Sequence, residues 1–363
     1  MRILRAETIR MKTIRKCLVM LTGLLAFSPV LFAQEGIEGG LGDVLPELFR
    51  TEAPLQIKLR YSNKFLKRET NDSTYLESMI WFSRGDLWDS LPVNLRARGN
   101  FRRKTCYFAP LKLKFRKSKT ASTLFEGSEK LKMVLPCQLD RNTGDYVLKE
   151  YLAYKLYETI APYHFKTRLT EISLFEERGK REVTHEFFGF LIEDMDYLCE
   201  RYGGQELKRL VHPLQHDDEA SVFNAFFEFM IANTDYSTKQ QHNQNLLFTE
   251  KRIIPVPYDF DMSGLVNAPY AAVTNIQNLS GSITQVTDRI YKGYERDPDI
   301  LDGVRREFLG KRSELMAELD EIESYFQDIN QFREAQKFLE AFFEILEDDK
   351  KFEKQILNRL RTR

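Results

Sequence analysis

The sequence predicts a two-lobed α+β protein, with a β-rich N-terminal lobe over residues 55–194 and a helical C-terminal lobe over 195–363. Three observations predict it. Apolar and charged residues alternate repeatedly from residue 55 to about 116, which is the period of half-buried strands. A single helical stripe at 145–160 interrupts this pattern and is followed by a hairpin pattern. From about residue 205, most apolar residues recur at helical spacing.

Four strands, one helix and a hairpin make up the predicted N-terminal lobe. Asp145 can cap the helix, which ends before Pro162. The hairpin turns at Arg178-Gly179-Lys180, where a glycine stands between two apolar stretches. The predicted strands are 55–61, 75–82, 93–97 and 110–115, with hairpin arms at 170–175 and 183–192. The C-terminal lobe begins with an apolar helix at 222–232 and contains an irregular segment at 233–270.

The N-terminus carries the pattern of a secretory signal peptide over residues 1–33. Basic residues precede an apolar run at 17–27, and Ala33 offers a small residue for cleavage. A retained membrane anchor is the alternative, but the run is shorter than the roughly 20 apolar residues that a span needs. We therefore expect an exported protein, periplasmic or secreted, with no transmembrane span after cleavage. Residues 34–54, rich in glycine and acidic residues, are predicted to be a linker.

Charge and cysteine content exclude some classes of protein. Six of the 54 basic and one of the 54 acidic residues lie in 1–33, which leaves 48 basic and 53 acidic residues after cleavage. A bulk nucleic-acid binder should be basic, so no nucleic-acid partner is expected. Cys106, Cys137 and Cys199 remain, which allows one disulfide, but their spacing is neither a disulfide framework nor a metal motif.

A basic stretch is the first candidate for a binding site. From Arg96 to Lys119 there are ten Lys or Arg residues and no Asp or Glu. Lys112 and Lys114 would share one face of a strand, and cations gathered there suggest a phosphate or carboxylate ligand. Arg98 and Asn100 flank a glycine at a strand end, where backbone N–H groups can approach a phosphate. The alternative is a solvated outer face.

A polar segment between two apolar elements is the second candidate. It contains Asn233-Thr234-Asp235, then His242-Asn243-Gln244-Asn245, then Pro257-Tyr258-Asp259-Phe260-Asp261. Carboxylate and amide oxygens suit Mg²⁺ or Mn²⁺ better than zinc. The donors are Asp235 with Asn243 or Asn245, and Asp259 with Asp261; one Asp could position a hydroxyl nucleophile while another holds metal-bound phosphate. The alternative is that Asp235 caps a loop and Asp259 makes a turn.

These residues resemble those of the CotH spore-coat kinases and, more distantly, the HipA-like kinases, both atypical members of the protein-kinase-like fold. Arg96-Ala97-Arg98-Gly99-Asn100 is similar to an R-x-R-G-N strand end of the CotH family. The order Asn233-Thr234-Asp235, then an Asn, then Tyr258-Asp259 is similar to that of HipA-like enzymes. The resemblance extends from about residue 55 to 270. It implies a kinase-like fold with a cleft between the lobes.

The resemblance also implies roles for individual residues. Lys112 or Lys114 would contact the phosphates of ATP or another nucleotide, and Glu150 would orient that lysine. Glu193 would begin the hinge between the lobes. Asp235 would be the catalytic Asp. Asn243 or Asn245, together with Asp259, would bind the metal ion.

Two departures from the kinase pattern leave activity open. The catalytic Asp and the metal-binding Asn are usually five residues apart, whereas Asn243 lies eight residues after Asp235. No glycine-rich phosphate loop is present. We therefore expect an exported kinase-like protein that binds a nucleotide or other phosphorylated ligand with a divalent metal ion and, if active, transfers a phosphoryl group to a hydroxyl of a protein or cell-envelope acceptor. The alternatives are an inactive module that binds anionic envelope components and a metal-dependent hydrolase that uses Asp235, His242, Asp259 and Asp261.

Overall fold

Seven strands close into a barrel in the first half of the chain, in the order β1-β2-β3-β4-β5-β7-β6. The computed structural model describes residues 45–140, 142–273 and 283–362, so the predicted signal peptide lies outside the described residues. The barrel strands are β1 (Leu55–Tyr61), β2 (Leu76–Arg84), β3 (Leu87–Ala97), β4 (Leu111–Lys114), β5 (Lys130–Val134), β6 (Thr167–Arg178) and β7 (Arg181–Glu193).

The barrel closes through a pairing between strands that are far apart in sequence. β1 runs parallel to β6, with Leu55 opposite Thr170 and Tyr61 opposite Glu176. All other pairings in the barrel are antiparallel. Inward residues such as Ile57 and Leu113 belong to one buried core inside the barrel. The sequence predicts most of the strands but not their closure, which depends on this non-local pairing.

Ten helices accompany the strands in the part of the chain that the structure describes. They are α1 (Asn63–Glu69), α2 (Asn100–Thr105), α3 (Lys117–Thr120), α4 (Thr143–Ile160), α5 (Met195–Arg201), α6 (Asp218–Met230), α7 (Pro298–Gly310), α8 (Arg312–Asp320), α9 (Ile329–Glu347) and α10 (Asp349–Gln355). The predicted α+β class is therefore confirmed.

Helix α4 is the centre of the second core. Most of its residues are buried on every side, including the charged Lys149 and Glu150, as expected for a helix enclosed by other elements. It packs against β7 and α8, and its apolar residues join those of α6, α7 and α9. Asp145 lies inside the helix. Its carboxylate accepts the N–H groups of Gln327 and Asp328 ahead of α9, at 2.9 and 3.0 Å.

A second sheet follows α5 and has the order β10-β9-β8. Its strands are β8 (Gln205–Glu206), β9 (Gln244–Thr249) and β10 (Arg252–Pro257). The sequence predicts the apolar strand at 253–256 but neither its partner β9 nor β8, which pairs with β9. β9 and β10 form a hairpin that carries Asn245 opposite Val256. The hairpin brings the end of segment 242–245 beside the start of segment 257–261, the two segments that hold the predicted metal-binding residues.

Three further features bear on the predictions. Leu48 and Phe49, in the predicted linker, are buried in the barrel core, and Arg168 donates to the carbonyl oxygen of Leu48 at 2.8 Å. Cys106 and Cys137 form a disulfide. Within the described ranges, no helix is both long enough and apolar enough to span a membrane.

Candidate functional site

A cleft of about 490 Å³ lies between the outer face of β4 and β5 and the second sheet. The segment after β7 forms a third wall. Four of the residues predicted for the site line this cleft: Arg98, Lys112, Lys114 and Asn245. Three more cations, which the sequence pattern did not predict for the site, also line it: Lys130, Lys132 and Lys208.

The register of β4 and β5 concentrates positive charge here. Lys112 lies opposite Lys132, and Lys114 lies opposite Lys130. Side chains directly opposite each other in an antiparallel pair share one face, where like charges repel. Alternate residues on both strands, such as Leu113, are buried in the barrel core. The barrel interior therefore directs these four lysines, here called the lysine face, toward the cleft.

Only part of this charge is neutralised within the protein. Lys112 pairs with Asp194 at 3.2 Å, and Lys130 pairs with Asp196 at 2.5 Å. Three cleft cations have no carboxylate within 4 Å among the described residues: Arg98, Lys114 and Lys132. Cations without a counter-ion in a concave site favour an anionic ligand.

The surroundings of Lys132 lower its pKa. Burial lowers its pKa to about 8, and the positive charge of Arg98 acts in the same direction. Its ammonium lies 4.9 Å from the ring centre of Tyr258 and 5.2 Å from that of Phe165. An anion in the cleft would favour the charged form of Lys132, because an opposite charge nearby stabilises it.

Asp235 and Asn243 lie in direct contact. The side-chain Nδ2 of Asn243 donates to the carbonyl oxygen of Asp235 at 2.7 Å and to its Oδ2 at 3.1 Å. Ser237 and His242 exchange two backbone hydrogen bonds of 3.0 Å between them. The longer Asp–Asn spacing is thus taken up by a closed loop. Because Nδ2 faces two acceptors, the amide oxygen of Asn243 is left for another partner.

Asp259 follows β10 in the left-handed backbone region, with a φ of 67°. Such residues cost conformational energy and cluster at functional sites. Its N–H donates to the Tyr154 hydroxyl at 3.0 Å, and the N–H of Tyr258 donates to the carbonyl oxygen of Asn243 at 3.1 Å. These bonds hold Asp259 near Asn243, and its charge is one of those that favour protonated Lys132.

Asp261 and Glu150 belong to a different cluster, around Arg102. Nη1 of Arg102 lies 3.1 Å from Oε2 of Glu150 and 3.7 Å from Oδ2 of Asp261. Burial raises the pKa of Glu150 to about 8 and that of Asp261 to about 6. The expectation that Glu150 orients Lys112 or Lys114 is therefore corrected: it pairs with Arg102. Both Glu150 and Arg102 line a second cavity, of about 280 Å³.

Glu193, predicted to begin a hinge, is buried and makes a two-pronged ion pair with Arg201, at 2.7 and 3.2 Å. It also accepts the N–H of Lys166 at 3.0 Å. Its neighbours Asp194 and Asp196 line the cleft and supply two of its three acidic groups. Asn100 begins α2, and its side chain lies outside what the structure describes.

A divalent cation has a limited protein donor set here. Over 45–140, 142–273 and 283–362, no group of three His, Cys, Asp or Glu side chains could hold a metal ion. The oxygen donors in this part of the chain are the carboxylates of Asp235 and Asp259 and the amide oxygens of Asn243 and Asn245. Mg²⁺ usually takes one or two carboxylates and completes its coordination with water and substrate phosphates. The donor set fits that mode of binding, not a closed protein cage.

The signal for the missed lysines was present in the sequence. Lys130-Leu131-Lys132-Met133 alternates as a strand does, but the pattern is short and follows a stretch with no clear period.

No family model and no curated protein matches the chain.

Proposed function

We propose that the chain is an exported, two-lobed, kinase-like protein that binds a nucleotide with a divalent metal ion in the cleft between the barrel and the second sheet. It transfers a phosphoryl group to a hydroxyl acceptor on a protein or envelope component. The observation that carries the proposal is that the lysine face shares one cleft with Asn245 and Tyr258, which lie close in sequence to Asn243 and Asp259.

The charge of the cleft supports a polyphosphate ligand. Six cations and three acids line it, and three of the cations lack an acidic partner among the described residues. A nucleoside triphosphate with one divalent ion carries a net charge of about −2, which such a cleft would offset. Lys114 and Lys132 would contact phosphate oxygens without first breaking an ion pair.

The Asp and Asn residues of the segment 235–259 support the transfer step. Asp259 and Asn243 would hold the metal ion, which would neutralise phosphate charge. Asp235, held by Asn243, would accept a hydrogen bond from the acceptor hydroxyl and orient it toward the phosphate. Catalysis of this kind depends on positioning and electrostatics more than on covalent chemistry.

Transfer from labelled ATP with Mg²⁺ or Mn²⁺, to the protein itself or to envelope extracts, tests the proposal. We expect transfer by the parent and its loss in Asp235→Asn and Asp259→Ala. Lys180→Ala is a matched surface control, because Lys180 lies in the exposed turn between β6 and β7. Transfer that persists in both Asp variants would contradict the assigned roles.

A binding module for anionic envelope components is the second candidate. The observation that favours it is the thin protein donor set for a metal ion beside a strongly cationic cleft. It requires anion binding that is independent of Mg²⁺ and unchanged in Asp259→Ala. Metal-dependent binding that Asp259→Ala weakens would exclude it.

A further inference from the structure

Lys292 lies beneath the loop that carries Asp235, in the stretch before α7. Its side chain is buried, with 2% of the residue exposed. Nζ donates to the carbonyl oxygen of Thr234 at 3.1 Å and to that of Tyr236 at 2.5 Å. These carbonyl groups belong to the residues immediately before and after Asp235. The ammonium also lies 4.1 Å from the ring centre of Tyr236.

The burial of this lysine is costly. Lysine is almost never fully buried unless it is paired, and no carboxylate lies within 4 Å of Lys292 in the described part of the chain. Burial lowers its pKa to about 7, and the positive charge of Arg361 acts in the same direction. A methionine would fill a similar volume without the cost of a polar group. What the lysine adds is two hydrogen bonds to one loop.

Arg289 fixes the other end of the same loop. It donates to the carbonyl oxygen of Met230, the last residue of α6, at 3.2 Å, as basic side chains often do at helix ends. The loop between Met230 and Ser237 therefore rests on two cations from one segment. Arg289 holds its start, and Lys292 holds the carbonyl groups of the residues that flank Asp235.

We infer that Lys292 is a positioning residue that fixes the backbone on both sides of Asp235 and thereby fixes where its carboxylate lies beside Asn243. Its catalytic consequence rests on the proposed function. Asn243 holds the carboxylate and the carbonyl oxygen of Asp235, and Lys292 holds the carbonyl oxygens of the two flanking residues. Loss of Lys292 should misplace Asp235 without altering the lysine face.

The test compares Lys292→Met with Arg289→Met in two measurements. In hydrogen–deuterium exchange, Lys292→Met should accelerate exchange of the amides at 233–237, while those of β4 and β5 stay protected. In kinetics, it should lower kcat by about 100-fold, the typical loss for a misplacement of about 1 Å, with the Kd for ATP–Mg²⁺ within twofold of the parent. Arg289→Met should accelerate amide exchange at Met230 and its neighbours but leave kcat within a few-fold of the parent value.

Three outcomes distinguish this inference from the proposed function. Unchanged exchange at 233–237 in Lys292→Met, or an unchanged kcat, overturns the inference alone. A parent that binds no nucleotide overturns the proposed function and the catalytic part of the inference. Hydrogen–deuterium exchange still tests whether Lys292 orders the loop around Asp235. If Lys292→Met does not fold, Lys292→Gln, which keeps one donor group without the charge, replaces it in the same comparison.

Discussion

Asn243 donates from one amide group to both the backbone carbonyl and the carboxylate of Asp235, although eight residues separate them. The intervening loop is closed by the paired backbone bonds of Ser237 and His242. An Asp–Asn spacing that departs from the kinase pattern therefore still brings the two side chains together.

Reversing the polarity of this pair tests the contact. Asn243→Asp replaces a donor with a carboxylate beside Asp235, so we expect a loss of about 1–3 kcal/mol in the free energy of unfolding. The double variant Asp235→Asn/Asn243→Asp restores a donor opposite a carboxylate and should recover part of that loss. Urea denaturation measures both. A double variant no more stable than Asn243→Asp would contradict the contact.

Lys132 should make anion binding depend on pH. Its pKa in the free protein is about 8, because burial disfavours the charge. The affinity for tripolyphosphate, measured without metal by titration calorimetry, should fall as the pH rises from 7 to 9. Lys132→Met should bind more weakly and show a flatter pH profile, and Lys180→Met should match the parent. An equally steep profile in Lys132→Met would show that another group titrates.

Glu228 should destabilise the fold as the pH rises. Burial raises its pKa to about 8, against the opposing effects of Asn233 and Lys292. With a folded pKa above the unfolded value of 4.5, the folded state binds more protons between about pH 4.5 and 8, so its stability falls across that window.

Glu228→Gln removes this titration. The variant's free energy of unfolding, relative to the parent, should increase from pH 5 to pH 8 by an amount on the order of a few kcal/mol. Comparing the two proteins at each pH cancels the opposite effect of His164 and His216, whose pKa values burial lowers to about 4. A constant difference across the range would contradict the raised pKa of Glu228.

The disulfide should contribute substantially to stability. Cys106 and Cys137 are 31 residues apart, and closing a loop of that length stabilises a fold by about 3.5 kcal/mol in the chain-entropy account. The double variant Cys106→Ala/Cys137→Ala should lose roughly that much in urea denaturation and should not respond to reductant. A parent insensitive to reductant during unfolding would show that the bond is absent in solution.

Local pattern was enough to predict much of the barrel. The alternation at β1 and the buried stripe of α4 are encoded by near neighbours, so periodicity predicts them. The parallel contact of β1 with β6 depends on residues more than 100 positions apart, such as Leu55 and Thr170. No local pattern carries that information, so closure was missed.

The candidate site was predictable in its residue types but less so in its pairings. The basic stretch and the Asp–Asn segments were predicted, and the structure brings Lys112 and Asn245 into one cleft. The partner of Glu150 was missed because Arg102 lies on α2, a short helix without a clear stripe. Lys292 was missed because nothing in its local sequence distinguishes a buried lysine from a solvated one.

Titration of the parent with ATP in the presence of Mn²⁺, beside Lys112→Met/Lys132→Met, tests the central claim most directly. We expect saturable binding at one site, weakened at least tenfold in the double variant because two cleft cations are removed. Absence of binding in the parent, or equal binding by the variant, would contradict the claim that the lysine face forms a nucleotide site.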